Sequence, residues 1–197
     1  MLLPIRRVVT GLNAEGRSIV VSDGVAPHEY EMPSWPGNGV TNTWSTTEAP
    51  SSNGDEELAK EITAFPPQGT GGVSFMIMQI KPLSELAKMS PEQRAACTQP
   101  VADFMPEGMN IDTSKSHGMH ATDTTDLLIM LQGELTLIVD EGEVTLRPFD
   151  TVVQRGVNHG WENRGTVTAL IASAVIDAKP LKRIRKPKPR TQTPQRF

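Results

Sequence analysis

Two short stretches decide the fold: HATDTTD at residues 120–126 and QRGVNHGWEN at residues 154–163. Each contains one histidine, the first ends on the carboxylate of Asp126, and turn residues separate the strand-like segments between them. Packing alone does not require charged and imidazole side chains on otherwise apolar strands. The spacing therefore predicts that His120, Asp126 and His159 converge inside one small β-barrel.

Alternation along a strand groups these residues with their neighbours. If Asp126 points inward, a period of two places Leu128, Met130 and Gln132 on the same face. The same rule places Trp161 and Asn163 on the face that carries His159. We therefore expect a pocket wall of candidate substrate-binding residues, which are Thr122, Met130, Gln132, Gln154, Trp161 and Asn163.

Turn signals divide most of the chain into short strands. We expect strands near residues 5–9, 18–22, 40–44, 73–80, 126–131, 134–139, 143–147, 151–154, 159–163 and 167–176. One short helix should begin after Ser90, which stands in a capping-box pattern, and run to about Thr98. Many short antiparallel strands with no helices between them predict an all-β barrel of the jelly-roll type.

The first stretch resembles the first sequence motif of the cupin superfamily. His120 matches the first histidine of that motif, and Thr122 occupies the position of its second histidine. Asp126 stands where the motif has a glutamate, and Gly133 closes it after the expected six residues. The resemblance extends over about residues 72–178 and implies a single-domain cupin barrel.

The second stretch resembles the second cupin motif. Gly156, His159 and Asn163 match it with the correct spacing. Phe149 stands where the motif has a glycine, Gln154 replaces its proline, and the gap between these two is one residue short. The resemblance predicts the fold rather than the reaction, because cupins host many chemistries.

The chain is expected to have three parts. Residues 1–72 form an irregular arm that contains strands and packs on the barrel or on a partner subunit; residues 73–178 form the barrel; residues 179–197 form a basic tail. The tail holds eight of the 19 basic residues and none of the 23 acidic ones. We do not expect it to bind nucleic acid, because it lacks the interleaved aromatic residues that stack on bases. The cupin resemblance implies a homodimer.

Composition favours a soluble protein. The chain has 197 residues, which is the size of one large domain, and its 16 Gly and 16 Pro suit a turn-rich β-protein. Its one cysteine cannot form an internal disulfide, and no run is apolar for long enough to span a bilayer. A cytoplasmic protein without a membrane partner is the expectation.

The three central residues suit a metal. His120, Asp126 and His159 supply two imidazoles and one carboxylate, the set that non-haem Fe(II) oxygenases use with open positions left for substrate. We expect these residues to be catalytic and to bind iron, manganese, zinc or nickel. The reaction would be the oxidation, decarboxylation or isomerisation of a small carboxylated or phenolic metabolite.

A metal-free site is the alternative. Asp126 could orient the ring of His120 and raise its pKa into the range of a general base, as an isomerase or dehydratase requires. A barrel that only binds a small ligand is a further alternative. Thr122 favours the metal-free alternatives, whereas Asp126 together with both histidines favours the metal enzyme.

Overall fold

Strands dominate the described part of the chain. The computed structural model describes residues 1–33, 35–54, 65–97, 110–111, 116 and 118–182. Its strands are β1 (Arg6–Leu12), β2 (Ser18–Val25), β3 (His28–Glu31), β4 (Gly39–Thr46), β5 (Val73–Ile80), β6 (Asn110–Ile111), β7 (His120–Ala121), β8 (Thr124–Gln132), β9 (Leu135–Val139), β10 (Gly142–Leu146), β11 (Thr151–Arg155), β12 (His159–Glu162) and β13 (Ala169–Asp177).

Two large antiparallel sheets form the barrel. The first has the strand order β10-β9-β12-β7-β6, and the second has the order β11-β8-β13-β5-β4-β3. The hairpin of β1 and β2 forms a separate small sheet. The predicted all-β jelly-roll fold is confirmed, and β5 has the bounds that its sequence predicts.

The larger of the two apolar clusters in the described residues includes the inner face of β8. It contains Leu128, Met130, Leu135, Leu146, Ala169 and Ile171, with Trp161 and Val152 packed against it. Burying each large side chain stabilises the fold by roughly 1.5–3 kcal/mol. Along β8 and β13, Met130 lies opposite Ile171, and Asp126 lies opposite Val175. The inward face of β8 therefore passes from apolar at the Met130 end to polar at Asp126.

The N-terminal arm extends the larger sheet. β4 pairs with β5, and β3 pairs with β4, so both strands continue the sheet beyond the barrel strands. Near the chain start, the N–H of Leu3 donates to Gln79 Oε1 at 2.8 Å, and Gln79 Nε2 donates back to the Leu3 carbonyl at 2.8 Å. This buried amide fastens the first residues to the outer side of β5.

The helical part agrees with the capping pattern. Helix α1 (Pro91–Cys97) begins after Ser90, whose Oγ accepts from the N–H of Gln93 at 3.2 Å, while Gln93 Oε1 accepts from the N–H of Ser90 at 2.9 Å. A 3₁₀ helix at Leu83–Lys88 and strand β3 were not predicted, because neither has a clear hydrophobic period. In the described residues no helix is both long and apolar enough to cross a bilayer. Residues 183–197 of the predicted basic tail lie outside the described residues.

Candidate functional site

Two strand pairs, one from each large sheet, bring the polar residues together. In the first sheet β12 pairs with β7, which sets His159 opposite His120 with ring centroids 4.4 Å apart. In the second sheet β11 pairs with β8, which sets Gln154 opposite Asp126. The turn between β11 and β12 then carries the chain from one sheet to the other, using Gly156 at a φ of 62°.

The side-chain amide of Gln154 joins the two pairs. Its Nε2 donates to Asp126 Oδ2 at 2.9 Å and lies 2.9 Å from His159 Nε2. An amide nitrogen has two N–H groups and accepts nothing, so His159 Nε2 must accept the second one. The nitrogen of Gln154 thus lies between the carboxylate and the imidazole, and both of its hydrogens are used.

Backbone carbonyls set the tautomer of both histidines. His159 Nδ1 lies 2.9 Å from the Val157 oxygen, and His120 Nδ1 lies 2.8 Å from the Gly118 oxygen. A carbonyl can only accept, so each Nδ1 carries the proton and each Nε2 presents a lone pair. The two rings therefore act as neutral acceptors.

Burial determines the charge of the polar cluster, which consists of His120, Asp126, Gln154 and His159. It lowers the pKa of His159 to about 3, assisted by the nearby charge of His120 and opposed by the Val157 carbonyl. It also lowers the pKa of His120, against the Gly118 carbonyl. Burial raises the pKa of Asp126 to about 6, although hydrogen bonds from Thr124 and Gln154 oppose the rise. Near neutral pH the rings are uncharged, and the carboxyl titrates just below that pH.

Two buried oxygens of the cluster have no hydrogen-bond partner. They are Asp126 Oδ1 and Gln154 Oε1, on side chains that are 8% and 3% exposed. A buried acceptor without a donor is costly, and such atoms mark sites where a bound group can supply the missing bond.

Comparison with known families identifies the barrel. Residues 109–175 match the family model described as "Cupin domain". The chain carries a cupin domain. The match contains β6 to β12 and most of β13, so every residue of the polar cluster belongs to it.

The relatives of this cupin include proteins from fungi. It is 28% identical over 185 residues to a protein of Hypocrea virens named cupin-domain-containing oxidoreductase virC, covering 89% of this chain and 77% of the relative. It is 35% identical over 83 residues to phomopsin biosynthesis cluster protein C' of Diaporthe leptostromiformis. That alignment covers 41% of this chain and only 40% of the relative's length.

A solved cupin domain also resembles it. The cupin domain of Schizosaccharomyces pombe Cnp3 aligns with a TM-score of 0.42 and 10% identity, and the alignment covers 87% of each chain.

The predicted metal ligands approach one another without forming a metal site. Metal–ligand bonds of roughly 2.0–2.3 Å require the donor atoms to surround a single point. Here the amide nitrogen of Gln154 lies between Asp126 Oδ2 and His159 Nε2, 2.9 Å from each. Among the described residues, no group of three His, Cys, Asp or Glu side chains is arranged to hold a metal ion. With the Gln154 amide in this position, His120, Asp126 and His159 are not arranged around a common metal position.

Three of the predicted wall residues lie at or beside this cluster. Thr122 is buried, with its Oγ1 2.7 Å from Thr124 Oγ1. Trp161 is half-buried and presents its ring edge-on to His159, with the centroids 6.0 Å apart. Gln154 is the third, and its bridging role was not foreseen.

Three other predicted wall residues do not contact the cluster. Met130 is fully buried in the apolar core. Gln132 is six positions beyond Asp126 on β8, roughly 20 Å away, and its exposed amide donates to the Thr168 carbonyl at 3.1 Å. Asn163 is fully buried, but its amide is used by the backbone: Nδ2 donates to the carbonyls of Ile80 and Val167, and Oδ1 accepts from the N–H of Gly165.

The sequence analysis did not identify Thr124 as a residue of the candidate site. Thr124 donates to Asp126 and also bonds the Thr122 hydroxyl. The alternation that placed Asp126 inward also places Thr124 inward, two residues earlier, so the signal was present in the pattern.

Proposed function

We propose that this cupin is an enzyme that catalyses proton transfer on a small molecule without a metal. The observation that carries the proposal is the position of the Gln154 nitrogen, which holds one oxygen of Asp126 and leaves the other without a partner. A carboxyl whose pKa is raised to about 6 can both take and return a proton near neutral pH. This is the isomerase or dehydratase alternative inferred from the sequence.

In the proposed reaction Asp126 transfers the proton, and the two histidines accept hydrogen bonds. Ionised Asp126 accepts a proton from carbon and becomes a carboxylic acid, while the electron pair of the broken C–H bond enters the substrate. Return of the proton to a neighbouring carbon gives an isomer, and its transfer to a leaving hydroxyl releases water. His120 and His159, which are neutral, accept hydrogen bonds and add no charge to compete with Asp126.

The relatives support a role in metabolism. One is named an oxidoreductase, and others are named for biosynthesis clusters of phomopsin and oryzines. We therefore propose a small metabolite as the substrate. We also propose the cytoplasm as the compartment, which is the expectation from the sequence.

The test is solvent-deuterium exchange. Purified protein is incubated in D₂O with a panel of enolisable ketones and β-hydroxy ketones, and NMR follows deuterium uptake and loss of water. We expect the rate to increase as the pH rises through about 6, and the Asp126→Asn variant to lose roughly 100-fold or more. Activity that survives in Asp126→Asn, or that a chelator abolishes, would contradict the proposal.

A second candidate is a metal-dependent oxidoreductase or lyase. The unprotonated Nε2 atoms of His120 and His159 favour it, and so does the name of the Hypocrea virens relative. Elemental analysis after anaerobic Fe(II) reconstitution tests it, with His120→Ala and His159→Ala in parallel. Near-stoichiometric metal that both variants lose would favour this candidate, and absence of metal in the wild type would reject it.

We also propose that the protein is a homodimer. Val153, Leu127, Ala174 and Phe75 lie side by side across four strands on the outer face of the larger sheet. The exposed fraction is 64% for Val153, 47% for Leu127 and 44% for Phe75. An uncharged row of this kind suits a second copy, because a two-fold axis pairs the same surface with itself.

A further inference from the structure

We propose that the ligand of this site is a neutral molecule with two neighbouring hydroxyl donors, of the catechol type. The inference rests on the proposed function in that it concerns the same site, and it adds the hydroxyl pattern that the site recognises; catechol is a binding probe, because it has no acidic C–H group for Asp126 to deprotonate. It follows from a count of the donor and acceptor atoms that the cluster leaves available.

The available atoms are all acceptors. Asp126 Oδ1 and Gln154 Oε1 are buried and unpartnered. Nε2 of His120 presents a lone pair, because its Nδ1 proton is directed to the Gly118 carbonyl. A ligand that donates to these atoms gives each buried oxygen the bond that the protein does not supply.

The donors of the cluster are already used. Both N–H groups of Gln154 are taken by Asp126 and His159. The Thr124 hydroxyl donates to Asp126, so the short contact between the two threonine hydroxyls uses the proton of Thr122. No lysine or arginine side chain is buried in the part of the chain that the structure describes. Among the described side chains of the cluster, a carboxylate would therefore meet acceptors and no unused donor, which favours the phenolic class over the carboxylated class.

The arrangement suits two adjacent hydroxyls on a ring. The unpartnered oxygens belong to Asp126 and Gln154, whose side chains are directly hydrogen-bonded, so the two acceptors lie on adjoining groups and match two neighbouring hydroxyl donors in number. The half-buried ring of Trp161 beside His159 adds an aromatic surface at the edge of the cluster. Aromatic rings pack favourably on such a surface.

Calorimetric titration of the full chain tests the inference with three probes: catechol, its dimethyl ether veratrole, and benzoate. Veratrole keeps the ring and the oxygens of catechol but has no donor, and benzoate is an anionic acceptor. We expect saturable binding of catechol, and binding of the other two at least about tenfold more weakly. Equal binding of veratrole, tighter binding of benzoate, or no binding of catechol at millimolar concentration would overturn it.

Two variants locate the site. Gln154→Leu should weaken catechol binding at least about tenfold, whereas the matched control Gln132→Leu, on the distant end of β8, should not. Asp126→Asn should also weaken catechol binding. The amide oxygen of the new side chain must accept from Gln154, so its N–H₂ group takes the place of Oδ1 and cannot accept a hydroxyl of catechol. An unchanged catechol affinity in folded Gln154→Leu or Asp126→Asn would overturn the inference.

A direct readout covers variants that fail to fold. In the wild-type protein labelled with ¹⁵N, catechol should shift the Nε2 resonance of His120 and the side-chain amide of Gln154, and veratrole should not. Unshifted resonances at saturation would overturn the inference. If the protein binds catechol more tightly than veratrole but catalyses no proton transfer, the proposed function is rejected and this inference stands. If it catalyses proton transfer but binds catechol and veratrole equally well, this inference is rejected and the proposed function stands.

Discussion

At the residue scale, the same burial moves the pKa values of an acid and a base in opposite directions. Asp126 and His159 are 8% and 2% exposed, and removal from water disfavours the charged form of each. The pKa of the carboxyl therefore rises to about 6, and that of the imidazole falls to about 3. In consequence, both groups titrate differently in the folded and unfolded chains over nearly the same pH range.

The two residues affect stability with opposite signs. Between about pH 3 and 6.5 the unfolded chain protonates His159 and the folded chain does not, so acid favours unfolding. Between about pH 4 and 6 the folded chain keeps Asp126 protonated and the unfolded chain does not, so acid favours folding. His120, whose pKa is also lowered, acts in the direction of His159.

The first prediction concerns this pH dependence. In the wild type, the free energy of unfolding should fall as the pH is lowered from 7 to 5, because the two histidines outweigh Asp126. At pH 5 the His159 contribution is about 2 kcal/mol. Urea titrations across this range should show a weaker acid loss in His159→Gln and a stronger one in Asp126→Asn. A His159→Gln curve parallel to that of the wild type would contradict the assignment.

At the element scale, the turn before β11 has an unusual residue. Phe149 has a φ of 75°, in the left-handed region that suits glycine, and its side chain is 83% exposed. Its N–H donates to the Met130 carbonyl at 2.8 Å, and the N–H of Asp150 donates to the Arg147 carbonyl at 2.9 Å. This is the position at which the cupin motif has a glycine, so the backbone keeps the motif's conformation although the side chain departs from it.

The second prediction follows from that turn. Phe149→Gly should raise the free energy of unfolding by about 1 kcal/mol, because it removes left-handed strain and sacrifices little buried surface. Phe149→Ala should give no such gain, since alanine keeps the Cβ. Gly133→Ala is the opposite control: Gly133 also has a φ of 75°, and the substitution should destabilise the β8–β9 turn. Lower stability of Phe149→Gly in urea unfolding would show that the exposed ring contributes more than the strain costs.

At the scale of the whole molecule, the outer face of the larger sheet carries a group of exposed apolar side chains. Ile129 and Leu131 on β8 are 36% and 42% exposed and lie beside the row proposed as the dimer contact. Isolated exposed apolar residues are normal, but a continuous group across several strands marks an interaction surface.

The third prediction is that the wild type has twice the chain mass in solution. Leu127→Glu should weaken the dimer at least about tenfold, because it buries a charge at the contact. Val144→Glu is the matched control, since Val144 is 50% exposed on the opposite sheet. Size-exclusion chromatography with light scattering measures both. A monomeric wild type, or equal dissociation by the two variants, would reject the proposed contact.

How far the site was predictable depends on the range of the interactions. Alternation along one strand is local, so the burial of Asp126, Leu128 and Met130 on one face of β8 was predicted correctly. The same period failed at Gln132, because the strand reaches the barrel's end there and the side chain meets solvent. Asn163 was grouped with His159, but the backbone at the junction of Ile80 and Val167 takes its amide.

By itself the sequence determined the all-β class and the turns that separate the strands, and it singled out two histidines and an aspartate as candidate site residues. Periodicity and spacing are properties of neighbouring residues, so they can be recognised without the tertiary structure. Only the tertiary structure decided what these side chains do together. The contact of Gln154 with both Asp126 and His159 requires two sheets to meet, and their pKa values follow from burial between those sheets. Neither is encoded in a local pattern, since both depend on which distant strands pair.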